Sequence, residues 1–154
     1  STTTKTYVSG LIAEGRQGDL VPTIRKLILM NLTGIGLLTH GLILYPEFIA
    51  GLFTENAETI QLTVRSAWVV FPAVLVFGCT SILLGTVEGS GNTMAGFVIE
   101  LITTLFYLAA AYFFAIERRD PVYLVWTAEY VYVVLIGVLS LLYLRNGKWK
   151  STEV

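Results

Sequence analysis

Two carboxylates stand inside apolar stretches, where a carboxylate is costly. Glu100 lies about two turns into the run from Met94 to Ile116, and Glu129 about two turns into the run from about Tyr123 to Leu144. Placing a charged side chain within a bilayer costs about 2.5–3.5 kcal/mol on insertion scales, so each needs a partner, a proton or water. Tyr107 is seven residues from Glu100 and shares its helix face, with Thr103 and Thr104 nearby. Trp126, Tyr130, Tyr132 and Tyr143 make the stretch around Glu129 rich in aromatics. A cavity lined in this way could hold an aromatic cation between ring faces and a carboxylate. The competing reading is that the glutamates tie helices together by bonding to Tyr, Thr or Arg65, and that the aromatics simply pack. His40, in a third apolar run, could carry a proton; otherwise it faces a helix neighbour or sits near the membrane interface.

The composition defines where such residues must work. Of the 154 residues, 55% are hydrophobic and 14% charged, and the mean hydropathy is +0.71. An ordinary soluble domain carries about 25% charged residues, so this chain belongs in lipid. A net charge of -1 gives no field that would attract nucleic acid, and none is expected as a partner. The single cysteine, Cys79, lies in an apolar run, which excludes a disulfide framework or a thiol metal site. Residues Ser1 to Gly10 lack the basic-then-apolar layout of a signal peptide.

The elements that must position the carboxylates follow from the apolar runs. Trp68 to Val87 and Met94 to Phe114 flank a short polar break, Glu88-Gly89-Ser90-Gly91-Asn92-Thr93. Each run can cross a bilayer, because ~20 apolar residues span the ~30 Å hydrocarbon core. The break is a turn, with Asn92 or Thr93 placed to cap the next helix. Earlier in the chain, Ser1 to Arg16 reads as the tail of a helix whose beginning is missing. Gly15 and Gly18 break it, and Asp19 can cap a short amphipathic helix through Pro22, Arg25 and Lys26. Leu27 to Tyr45 is the first full span, closed by Pro46. Thr54-Glu55-Asn56-Ala57-Glu58 is the cap signal for a second span, about Val64 to Val87, in which Pro72 predicts a kink. Spans three and four meet at the charged turn Glu117-Arg118-Arg119-Asp120-Pro121.

The expected fold is therefore all-α, a polytopic membrane bundle of four full transmembrane helices plus the tail of a preceding helix. Residues 1–26 form that tail and an amphipathic connector, 27–150 the four-helix membrane part and 151–154 a tail. Arg16, Arg25, Lys26, Arg145, Lys148 and Lys150 fall at one side, against Arg65, Arg118 and Arg119 among acidic residues at the other. The positive-inside rule then puts both ends in the cytoplasm. Tyr45, Tyr123, Trp126 and Trp149 mark span ends. Spans three and four run antiparallel, which separates Glu100 from Glu129 by roughly 10–15 Å in depth and argues against a paired-carboxylate cation site. No Ser/His/Asp arrangement, HExxH or phosphate loop is present, and Gly89-Ser90-Gly91 follows a helix rather than a strand, so an enzyme is not expected.

Several stretches together resemble the multidrug and toxic compound extrusion (MATE) transporters. Tyr7-Val8-Ser9-Gly10-Leu11-Ile12-Ala13-Glu14-Gly15-Arg16 looks like the loop after that family's eighth helix. Tyr45-Pro46-Glu47 with Leu52-Phe53-Thr54-Glu55-Asn56 looks like its break between helices nine and ten. Glu88-Gly89-Ser90-Gly91-Asn92-Thr93 is similar to its turn between helices ten and eleven, and Trp126-Thr127-Ala128-Glu129-Tyr130 to the last helix of Bacteroidetes-type members. The resemblance implies a C-terminal fragment, from the end of helix eight through helix twelve, of a twelve-helix, two-lobed exporter. Such a protein exchanges a small organic, often cationic, compound for H⁺ or Na⁺ by alternating access in the inner membrane, with no other cofactor. Its missing N-terminal lobe and the lipid bilayer are then its partners, since a midplane site needs both repeats.

Two departures from the family pattern stand out. Phe71 to Leu84 has no ionisable residue except the thiol of Cys79, where many members carry an acidic residue, and Glu88 replaces a basic residue before the turn. Substrate or cation binding is therefore expected at Glu100, Glu129, Tyr107 or His40, with no metal site. Alternatives are a small four-helix exporter acting as an oligomer and a non-transporting scaffold or accessory subunit. A lipid-linked sugar flippase of the related superfamily would be expected to carry more cationic residues within its spans.

Overall fold

A threonine-rich stretch becomes helical when its hydroxyls find backbone acceptors, and the chain begins in that way. In a computed structural model, which describes residues 2–147, Thr6 and Ser9 donate to the carbonyls of Thr2 and Thr6 within α1, Thr2–Ala13. The expected basic and aromatic end, Lys148, Trp149 and Lys150, and the tail 151–154 lie outside the described residues. Gly15, at φ 70°, turns the chain out of α1. Arg16 then bonds both Glu14 and Asp19, at 3.1 and 2.9 Å, and these two carboxylates hold its guanidinium above its ordinary pKa.

The separate amphipathic helix expected up to Lys26 does not form. After a single 3₁₀ turn, Gln17–Asp19, one continuous helix, α2, runs Leu20–Leu44. Asp19 makes no side-chain cap to it, its carboxylate being engaged by Arg16. Pro22 falls in the first turn of α2, where a backbone N–H has no helical partner to lose, so it starts the helix instead of interrupting it. Tyr45 breaks the chain and Pro46 opens the short α3, Pro46–Gly51.

The longest helix organises the rest. Asn56 accepts from the backbone N–H of Thr59 at 3.1 Å and starts α4, Ala57–Gly89, which continues through Pro72. Its 33 residues reach ~50 Å at the helical rise, so it extends beyond a ~30 Å hydrocarbon core. Gly91, at φ 90°, makes the tight reversal, and Asn92 caps α5, Thr93–Tyr112, by accepting from Ala95 N–H at 3.0 Å. A π-helical turn, Phe113–Glu117, ends that span. The following turn holds Asp120 against Arg118 at 3.2 Å. The fourth span is broken where one run was expected: a single turn, α6 (Val122–Val125), gives way at Trp126-Thr127 to α7, Ala128–Arg145.

Helices α1, α2, α5 and α7 all pack on α4. Close approach depends on glycine where α2 and α7 cross α4. A Cβ on Gly78 would lie 2.6 Å from Ile35 Cδ1 of α2, and one on Gly137 of α7 would lie 2.7 Å from Thr80 Cγ2. At the first crossing Asn31 also donates to the Gly78 carbonyl at 2.7 Å. This combination of small residues and interhelical hydrogen bonds suits association in lipid, where hydrophobicity cannot drive helices together. The core between α4, α5 and α7 is Val87, Ile99 and Ile136. Leu37 and Leu38 of α2 and Phe97, Leu105 and Phe106 of α5 face outward. Large exposed apolar surface of this kind is at home against lipid or other membrane helices. Four helical stretches, 17–44, 57–89, 93–117 and 122–145, are long and apolar enough to span a membrane.

Candidate functional site

The break at Trp126-Thr127 changes the setting of Glu129. The residue stands in the first turn of α7 rather than two turns into an uninterrupted helix, at the positive end of that helix's dipole, with its own N–H and that of Tyr130 bonded to the Trp126 and Thr127 carbonyls at 3.1 Å. Thr127 turns its hydroxyl to the Leu124 carbonyl at 2.6 Å and does not cap α7. Glu129 is half-buried.

Neighbouring helices complete the surroundings. Tyr107 of α5 reaches α7 through its ring, one turn from Glu129. Tyr132, one turn along α7, meets Tyr107 edge-on with ring centroids 6.0 Å apart. Its other side meets Phe77 of α4 at 6.2 Å, so three helices each supply one ring. Beside them, Val70, Ala73, Phe77, Trp126, Glu129 and Tyr132 line a recess of about 290 Å³. Tyr130, pointing to the other flank, donates to the Val69 carbonyl of α4 at 2.8 Å. A carboxylate beside several ring faces in a low-dielectric seam is an arrangement that favours a cation.

The four candidate residues do not come together equally. Glu129 lines the recess, and Tyr107 packs edge-on against Tyr132 of the same lining. Glu100 is exposed on α5, away from the recess lining. His40 is exposed on α2, bonds through its ring to the Leu37 carbonyl of its own helix, and does not line the recess. Arg65, the suggested tether for a glutamate, instead lies over the Tyr123 ring at 5.9 Å. Phe77 was not singled out from the sequence, because an aromatic inside an apolar helix carries no local sign of which neighbour it will meet. Further along the face of α7 that carries Glu129 and Tyr132, the Ser140 and Tyr143 hydroxyls are buried and have no hydrogen-bond partner among the described residues. Glu88, noted for replacing a basic residue, takes its cation from α1, pairing with Lys5 at 2.8 Å.

Apolar spans packed on one long helix, with a carboxylate at a helix start inside their seam, define a multi-pass membrane protein with a built polar recess. A model of the MatE family matches residues 1–113 of the 154, and the chain belongs to that family. A probable lipid II flippase MurJ from Rhizobium tropici is 29% identical over 93 residues, a stretch covering 60% of this chain and 17% of the relative. No solved structure matches the chain. His40, Glu100 and Tyr107 fall within the family match, whereas α7 with Glu129 lies beyond it.

Proposed function

We propose that this chain forms part of a secondary active transporter that exports small organic cations in exchange for H⁺ or Na⁺. The observation carrying this reading is the recess lined by Glu129 and Tyr132, with the Tyr107 ring edge-on against Tyr132 at the α5–α7 seam. Alternating access lets one carboxylate serve two ions in turn. In one state it is occupied by H⁺ or Na⁺; in the other the cargo displaces that ion and takes its place against the rings. The remainder of the transporter supplies the opposing lobe, and the excess of basic residues near Arg16, Arg25, Lys26 and Arg145 supports cytoplasmic ends in an inner membrane.

A second reading follows from the similarity to a protein described as a lipid II flippase. Its cargo would be an anionic, lipid-linked headgroup, which calls for cationic side chains within the spans. The recess offers a carboxylate and rings instead, and Arg65 is held over Tyr123. Substrate-dependent efflux by the full-length protein that collapses with the proton or sodium gradient supports export and rules out a scaffold. Gradient-independent movement of a lipid-linked headgroup would establish the flippase instead.

A further inference from the structure

A larger cavity lies away from Glu129, at the end of the bundle where α7 finishes and α2 begins. It is a half-enclosed slot of about 510 Å³, within the usual range for small-molecule sites, with walls from Val8, Val21, Ile24, Leu83 and Leu141. Two hydroxyls also line it, yet both are committed to their own helix: Thr86 donates to Ile82 at 2.8 Å and Ser90 to Val87 at 2.7 Å. The interior therefore asks for an apolar occupant. The rim differs, with Gln17 and Arg145 both exposed there. Lys5 and Arg16 at this end are neutralised by Glu88, Glu14 and Asp19, whereas no carboxylate lies within ion-pairing distance of Arg145 among the described residues. Arg145 also sits in the last turn of α7, so the slot opens where a span ends and lipid headgroups begin.

We propose that this slot binds an anionic phospholipid of the surrounding bilayer, an acyl chain lying along the apolar walls and the phosphate resting on Arg145. Apolar interior, unneutralised cation and headgroup depth each match one part of such a molecule, and basic pockets between membrane helices take anionic headgroups for the same electrostatic reason. The site is independent of the cargo assigned to the Glu129 recess.

Native mass spectrometry of the full-length transporter, titrated with phosphatidylglycerol or phosphatidylcholine, tests the assignment. The expected result is retention of phosphatidylglycerol about fivefold better than phosphatidylcholine, the effect of one well-placed cation. Arg145→Gln removes this preference. Val21→Trp, at a wall position 75% exposed and so free of core packing, blocks retention of both lipids. Equal retention of the two lipids by the unsubstituted protein, a preference that survives Arg145→Gln, or occupancy by detergent alone overturns the proposal. Phosphatidylglycerol carrying a photoreactive acyl chain gives a second reading without substitution. Crosslinks fall on peptides containing Val21 to Ile24 and Leu141 if the slot is occupied, and only on the outer face of α5 if it is not.

Discussion

Tyr130 of α7 donates its hydroxyl to the backbone carbonyl of Val69 in α4 at 2.8 Å, three residues before Pro72. Proline has no N–H, so the carbonyl of Trp68 has no helical donor, and the ring crowds that turn of α4. A neighbouring helix that bonds the adjoining carbonyl helps a membrane helix carry proline in its interior. Tyr130→Phe keeps the ring and removes the bond, so it should cost about 0.6 kcal/mol, the average for interhelical bonds in membranes, and no more than about 1.7 kcal/mol. Thermal unfolding of the intact protein in detergent checks this. A double-mutant cycle with Pro72→Ala should show coupling, because the crowded turn relaxes once the ring is gone.

Glycine substitutions should rank by what the added methyl meets. At Gly89 it meets the Lys5 carbonyl and the Val8 Cβ, both at 2.9 Å, neither of which can swing away without moving α1. At Gly137 it meets a branched Thr80 methyl, and at Gly78 the flexible end of Ile35 and, at 3.2 Å, the Asn31 amide nitrogen that bonds the Gly78 carbonyl. Overpacking costs about 1–3 kcal/mol, so Gly89→Ala should fall at the top of that range and Gly78→Ala lower within it. Retained fold after graded heating gives the order, and a larger loss for Gly78→Ala than for Gly89→Ala would contradict it.

Ser140 is fully buried and its hydroxyl has no hydrogen-bond partner among the described residues. Removing an unpaired hydroxyl relieves a desolvation cost, so Ser140→Ala should be neutral or stabilising within about 1 kcal/mol. A loss larger than this in the same melting assay would show that the hydroxyl has a partner in the intact protein.

Much of the architecture was legible because it depends on local chemistry. The apolar runs, the Asn92 cap and the break at Tyr45-Pro46 need only neighbouring residues, and the structure places each of them as the residues suggest. Two boundaries were not legible. The charges of Arg25 and Lys26 mimic a connector, although nothing there stops a helix, and α2 runs through them. The interruption at Trp126-Thr127 lies inside an apolar run, where hydropathy is blind to it, although Pro121 followed by Thr127-Ala128-Glu129 has the shape of a helix start. The packing of Tyr107 against Tyr132 depends on how α5 slides against α7, a register that no single helix encodes.

Glu100 should therefore matter less than Glu129. Its side chain is exposed on α5 and does not line the recess. Glu100→Gln in the full-length transporter should lower export by a smaller factor than Glu129→Gln, measured as drug resistance at equal expression. The reverse order would move the site to the outer face of α5.

Glu129 is the proposed holder of the cation. The most direct test of this role is uptake of a fluorescent lipophilic cation into proteoliposomes that contain the full-length transporter, under an imposed proton or sodium gradient. The account predicts gradient-driven uptake that falls at least about tenfold, ~1.4 kcal/mol, in Glu129→Gln, with the folded protein present in equal amount. Uptake by Glu129→Gln equal to that of the unsubstituted protein, or no gradient-driven uptake by either, would contradict it.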